Sequence, residues 1–94
     1  MPRPKMFADV WDALEQNPEE ASRMKLRSSA LHAVGDTVRK WNTTQAKAAR
    51  RLGISQPRLN DLLRGKINKF SLDTLLVLAN RAGLKVKIEI RAAA

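Results

Sequence analysis

Apolar residues recur at helical spacing along most of the chain, then switch to a spacing of two near its end. Phe7, Trp11 and Leu14 stand at i, i+4 and i+7, one face of a helix. Asn17-Pro18-Glu19-Glu20 is a helix start, with Asn as N-cap, Pro in the first turn and acids against the helix dipole. The helix it opens is predicted to run to about Trp41, with Leu31, Val34, Val38 and Trp41 on a shared face. Gly35 inside that span costs about 1 kcal/mol relative to Ala. A break near Lys25–Ser29, with Ser28 or Ser29 restarting the helix, is the alternative.

Thr43 or Thr44 caps a short helix whose inner face is Ala48, Ala49 and Leu52, and Gly53 suits the left-handed residue that ends it. Ser55 caps the next helix, Pro57 lies in its first turn, Leu59, Leu62 and Leu63 are its apolar positions, and Gly65 ends it. Residues 66–70 read as a loop anchored by Phe70. Ser71 caps a last helix with Leu72, Leu75, Leu76, Leu78 and Ala79 as its apolar face, closed by Gly83.

After Gly83, Leu84, Val86, Ile88 and Ile90 alternate with Lys85, Lys87, Glu89 and Arg91, the pattern of a strand. A lone strand leaves backbone groups unpaired and one apolar face uncovered. Antiparallel two-fold pairing with the same strand of a second chain solves both problems, so these four apolar residues are the predicted dimer interface. Such pairing opposes Glu89 to lysines across the axis in some registers. The alternatives are a tail lying on its own helices, or pairing with a different protein. The expected fold is mainly α, with an N-terminal helix, a domain of short helices and one C-terminal strand pairing in a dimer. The expected division is an acidic N-terminal segment over 1–24, a helical domain over 25–83, and a dimerisation strand and tail over 84–94.

Composition narrows the function. In 94 residues there is no cysteine and one histidine, His32, so disulfides and Cys/His zinc sites are excluded. The longest apolar run, Leu75–Ala79, is far short of the roughly 20 residues that span a bilayer. The opening Met1-Pro2-Arg3-Pro4-Lys5 has no apolar core behind it and does not read as a secretory signal. No catalytic set or phosphate-cradling glycine loop is present, so neither an enzyme nor a cofactor is expected. Net charge is +9, unevenly spread. Residues 1–24 carry three basic and five acidic side chains; the rest carries fifteen basic against four acidic. A segment that basic favours a polyanionic partner, whereas duplex DNA would repel the acidic one. The bland reading of the charge is a solvated surface kept for solubility.

Residues 44–65 carry the most specific signal. Two short helices joined by a tight turn must cross steeply. Ala49 permits their close approach, Gly53 tolerates the turn's positive φ, and Ile54, Leu59 and Leu62 fill the space between them. This spacing is the helix-turn-helix, whose second helix enters the major groove. An ordinary helix pair does not need Gln56, Arg58, Asn60 and Asp61 on the outside of its second helix. Lys47, Arg50, Arg51, Lys66 and Lys69 add charge around it.

The run Thr44-Gln45-Ala46 to Gly53-Ile54-Ser55-Gln56, with Leu62–Gly65, resembles the lambda-repressor-like, XRE-type helix-turn-helix family. Adding Phe7–Leu14, Asn17-Pro18-Glu19, Lys66–Phe70, Ser71–Leu75 and Gly83-Leu84, the chain resembles the HigA-like antitoxin branch of that family over nearly its whole length. The resemblance implies a homodimer that represses its own operon at a palindromic operator and neutralises a RelE/HigB-like ribonuclease toxin. It implies that Thr44 and Gln45 open the first motif helix at the DNA backbone, Gln45 bracing Gln56, and that Gln56 reads adenine through its amide. Pro57 departs from the polar residue of several repressors and offers apolar contact alone. Arg58 takes a guanine or a phosphate, and Asn60 faces the groove flank. Asp61 accepts from cytosine N4, or instead pairs with Arg58 or Arg64. Ser55, Arg64, Lys66 and Lys69 fit backbone clamps.

His32 reads as a surface or packing residue and Trp41 as core. Phe7, Trp11 and Leu14 either pack on the core or dock into the toxin, whose cationic RNA-cutting site the acidic segment would cover. The sequence therefore predicts a double-stranded DNA-binding repressor and antitoxin, not membrane-bound, in the bacterial cytoplasm at the nucleoid. A stand-alone regulator of the phage-repressor kind is the alternative. An adaptor for single-stranded RNA would need an aromatic platform that four aromatic residues do not supply.

Overall fold

A computed structural model describes residues 17–92. Among the described residues, four α-helices and one 3-10 turn follow in order: α1 over Pro18–Lys40, α2 over Gln45–Leu52, α3 over Gln56–Leu63, the turn over Ile67–Lys69, and α4 over Leu72–Arg81. Phe7, Trp11 and Leu14 lie outside the described residues.

Local chemistry explains where each helix begins. The Asn17 side chain accepts from the Glu20 N–H at 3.2 Å, with Pro18 in the first turn and Glu19 and Glu20 against the dipole. Thr44 accepts from the Lys47 N–H at 3.2 Å, Ser55 from the Arg58 N–H at 3.2 Å and Ser71 from the Thr74 N–H at 3.1 Å. The helix from Pro18 runs unbroken through Lys25–Ser29, so neither serine restarts it.

The core forms where the predicted faces meet. Leu31, Val34 and Val38 of α1, Ala48, Ala49 and Leu52 of α2, Leu59 and Leu62 of α3, and Leu75, Leu78 and Ala79 of α4 are all buried. Phe70 joins them from the turn, so the 66–70 segment is anchored from within. The long α1 packs chiefly on α4, while α2 packs on α3. Trp41, Ile54 and Leu84 lie partly buried against this cluster.

The C-terminal strand is not confirmed. No strand occurs among the described residues, and Leu84–Arg91 leaves α4 without ladder partners. The physical reason is that a period of two specifies a strand only when another edge supplies its hydrogen bonds, and a single copy offers none. Leu84 stays half-buried on the core, while Val86, Ile88 and Ile90 become progressively more exposed, at 38%, 60% and 90%. Residues 84–88 wall a hollow of 270 Å³ against Leu26, Ala30, Leu72 and Leu76.

Candidate nucleic-acid interface

The α2–α3 turn fixes how the second helix is presented. Gly53 stands at φ 71. Its N–H donates to the Arg50 carbonyl at 3.1 Å, and the Ile54 N–H donates to the Ala49 carbonyl at 3.0 Å. That pair is a Schellman turn, which sends the chain away from α2 within two residues. A Cβ at position 53 would also stand 2.9 Å from Arg81 Nη1.

With 100° per residue, the buried Leu59 and Leu62 set the inner side of α3. Pro57, Asn60 and Arg64 are exposed on the opposite side, Pro57 near its centre, and Gln56 is exposed on the flank, about 90° from the buried pair. Gln56 is the first residue of α3 and Gln45 the first of α2, both exposed. Thr44 and Ser55 are exposed too, their hydroxyls engaged as caps.

Arg58 and Asp61 lie about 60° apart on one flank of that face, each half-buried. The Arg58 guanidinium lies over the Phe70 ring, 4.6 Å from its centroid. Asp61 pairs with neither Arg58 nor Arg64. Its Oδ1 is 3.4 Å from Lys66 Nζ and its Oδ2 is 3.3 Å from Lys69 Nζ. Partial burial pushes the Asp61 carboxyl up, but hydrogen bonds and charge from Lys69 and Lys66 outweigh this and hold it below the usual aspartate value.

Part of the basic surplus turns out to serve the scaffold. Arg81 donates to the Leu52 carbonyl at 3.0 Å, tying α4 to the end of α2. Arg39 donates to the Leu63 carbonyl at 2.9 Å, tying α1 to the end of α3. Arg27 donates to the Phe70 carbonyl at 3.2 Å and the Ile67 carbonyl at 2.9 Å, holding the 3-10 turn. Each reaches carbonyls at a helix or turn end, the Ile67 carbonyl being shared with the Phe70 N–H. Sequence reasoning missed all three, because their partners lie 24 to 43 residues away and no local pattern marks them. Arg51 covers the Trp41 ring at 4.0 Å from the centroid. Lys47, Arg50 and Arg64 are exposed and make no ion pair among the described residues. That set can meet phosphates, while the amides of Gln56 and Asn60 offer both donors and acceptors.

No cluster of His, Asp or Glu able to hold a metal occurs among the described residues, and no helix among them is long and apolar enough to cross a membrane.

Two crossed helices, a left-handed glycine between them and an exposed polar edge on the second define a helix-turn-helix DNA-binding domain. The model of the helix-turn-helix domain family matches residues 13–91. A solved chain assigned to the XRE family of transcriptional regulators is similar at 31% identity and a TM-score of 0.72, over 79% of this chain and 83% of that one. A comparison with curated proteins gives no match. The chain belongs to the helix-turn-helix family of XRE-type transcriptional regulators.

Proposed function

We propose that this protein is a sequence-specific repressor that binds a palindromic operator as a two-fold dimer, with α3 in the major groove. The observation that carries the reading is the exposed edge of Gln56, Pro57, Asn60 and Arg64, mounted on a helix whose far side is sealed into the core. Gln56 supplies the amide pair that reads adenine. Thr44, Gln45, Ser55, Arg64, Lys66 and Lys69 set the register on phosphates. Dimerisation through Leu84, Val86, Ile88 and Ile90 places the two half-sites roughly one turn, about 34 Å, apart. In support, these apolar residues carry increasing exposure along a segment that lacks ladder partners.

Selection from a random duplex library followed by footprinting tests this. A protected palindrome is expected, and Gln56→Ala should relax base preference at one position by roughly 1–3 kcal/mol. Equal affinity for every duplex would refute sequence reading.

The same chain acts, on this proposal, as the antitoxin of a RelE/HigB-like ribonuclease. What supports it is the acidic, aromatic-striped stretch Phe7–Glu20, whose charge opposes that of an RNA-cutting site. Deleting residues 1–24 should abolish neutralisation of the co-expressed toxin. A neighbouring reading frame that encodes no small basic protein favours a stand-alone regulator instead.

A further inference from the structure

Asp61 grips two lysines at the end of the recognition helix, and the backbone sets up the grip. Gly65, at φ 75, closes α3 in a second Schellman turn. Its N–H donates to the Leu62 carbonyl at 3.0 Å, and the Lys66 N–H donates to the Asp61 carbonyl at 3.1 Å. The chain is thereby folded back, and Lys66 Nζ arrives 3.4 Å from Asp61 Oδ1. The 3-10 turn then carries Lys69 Nζ to 3.3 Å from Oδ2. One carboxylate oxygen faces each ammonium, as two oxygens of a backbone phosphate would. The lysine side chains are 41% and 54% exposed, so the cluster contributes little to stability. Its consequence lies in what the two cations are free to do.

We propose that Asp61 restrains affinity for duplex DNA of arbitrary sequence by standing in for a phosphate on Lys66 and Lys69 until a backbone phosphate displaces it. The proposal rests on the DNA-binding reading above and assigns Asp61 to tuning affinity, not to reading a base. Each lysine must leave Asp61 before it reaches DNA, and the exchange leaves a bare carboxylate beside a polyanion. Every duplex presents phosphates, so the restraint falls on all sequences alike. Discrimination then rests more heavily on the exposed edge of α3, because the sequence-independent share of binding is held down.

The test is anisotropy titration of the full chain with a labelled 20-base-pair duplex of mixed sequence, from 50 to 200 mM salt. Asp61→Asn is expected to tighten binding roughly three- to thirtyfold and to steepen the log–log salt slope by about one. Lys66→Gln with Lys69→Gln should weaken binding and flatten the slope. Adding Asp61→Asn to that pair should recover no more than about twofold, because nothing remains to be released. Asp61→Ala supplies a second neutral variant and should match Asp61→Asn, with circular dichroism confirming the fold of each. Equal tightening in both lysine backgrounds would show simple repulsion and overturn the proposal. So would an unchanged affinity, or a loss confined to particular sequences. A wild-type chain without salt-dependent binding to any duplex would overturn the DNA reading itself, a result separable from duplex binding that Asp61→Asn leaves unaltered.

Discussion

Arg81, on α4, donates through Nη1 to the carbonyl of Leu52 at the end of α2, across 3.0 Å. The same nitrogen lies 2.9 Å from where a Cβ on Gly53 would stand. The turn that aims α3 is therefore held twice, once by a backbone only glycine adopts readily and once by a cation from the far end of the domain. A side chain at position 53 meets both obstacles together.

Gly53→Ala should accordingly cost about 1–2 kcal/mol for the left-handed backbone alone, with the displaced arginine adding to it. Arg81→Ala leaves the Leu52 carbonyl without its charged donor, at a cost of about 1–2 kcal/mol. The double variant should lose less than the two single losses combined, because alanine at 53 already displaces the guanidinium. Thermal unfolding of the four proteins checks this, at about 4–8 °C per kcal/mol for a domain of this size. Strict additivity would mean that Arg81 accommodates the methyl group without leaving Leu52.

Arg27 makes the equivalent prediction for the 3-10 turn. Its guanidinium reaches two carbonyls, those of Ile67 and Phe70, with a fork that lysine lacks. Arg27→Lys should therefore destabilise by about 1 kcal/mol even though charge is kept. The effect should concentrate locally: the amides of Lys69 and Phe70, which donate to Lys66 and Ile67 across the turn, should exchange faster. Hydrogen exchange read by NMR measures it, and uniform acceleration over all helices would argue against a local staple.

The Asp61 cluster carries a pH signature. Its carboxyl sits below the ordinary 3.8 because both lysines favour the charged form more than partial burial disfavours it. A depressed folded-state value means that the pairing stabilises the fold above the carboxylate range and is lost as pH falls through the folded value. The Asp61 side-chain carbon, followed by NMR from pH 7 to 2, should titrate below 3.8. In Lys66→Gln with Lys69→Gln the midpoint should move upward, since only partial burial and the helix remain. Between pH 5 and 8 the effect of Asp61→Asn on DNA binding should be flat.

Much of the fold was legible because its signals are local. Asn17, Thr44, Ser55 and Ser71 announce their helices through side chains that reach only three residues ahead. Gly53 and Gly65 mark turns for the same reason. The site was read less fully, because its remaining features depend on the path of the chain between distant residues. Arg58 reads as an outward cation, yet Phe70, twelve positions on, returns through the core to lie beneath it. The choice between Arg58 and Arg64 for Asp61 overlooked the reversal at Gly65 that delivers Lys66 and Lys69 instead. The alternation over Leu84–Arg91 finds no ladder partner among the described residues, so its strand pattern stays without an edge to pair with there.

That edge yields the sharpest prediction about assembly. In an antiparallel pair centred on Lys87, Lys85 opposes Glu89 of a second copy, Leu84 opposes Ile90 and Val86 opposes Ile88; only Lys87 meets its own like charge. Centring on Val86 instead sets Lys85 against Lys87, with no opposite-charge pair. Centring on Ile88 matches Lys87 with Glu89 but sets Lys85 against Arg91. The chain has no cysteine, so a single introduced thiol reports the register cleanly. Directly opposed residues stand about 4.5–5.5 Å apart between Cα atoms, within the range a disulfide spans. Lys87→Cys should therefore crosslink to itself under mild oxidation, whereas Lys85→Cys and Ile88→Cys should not. Lys85→Glu should shift the dimer toward monomer in analytical ultracentrifugation, and adding Glu89→Lys should restore it by exchanging the two charges. A wild-type chain monomeric at all concentrations would remove the dimer, while efficient crosslinking at Ile88→Cys alone would keep it and move the axis by one residue.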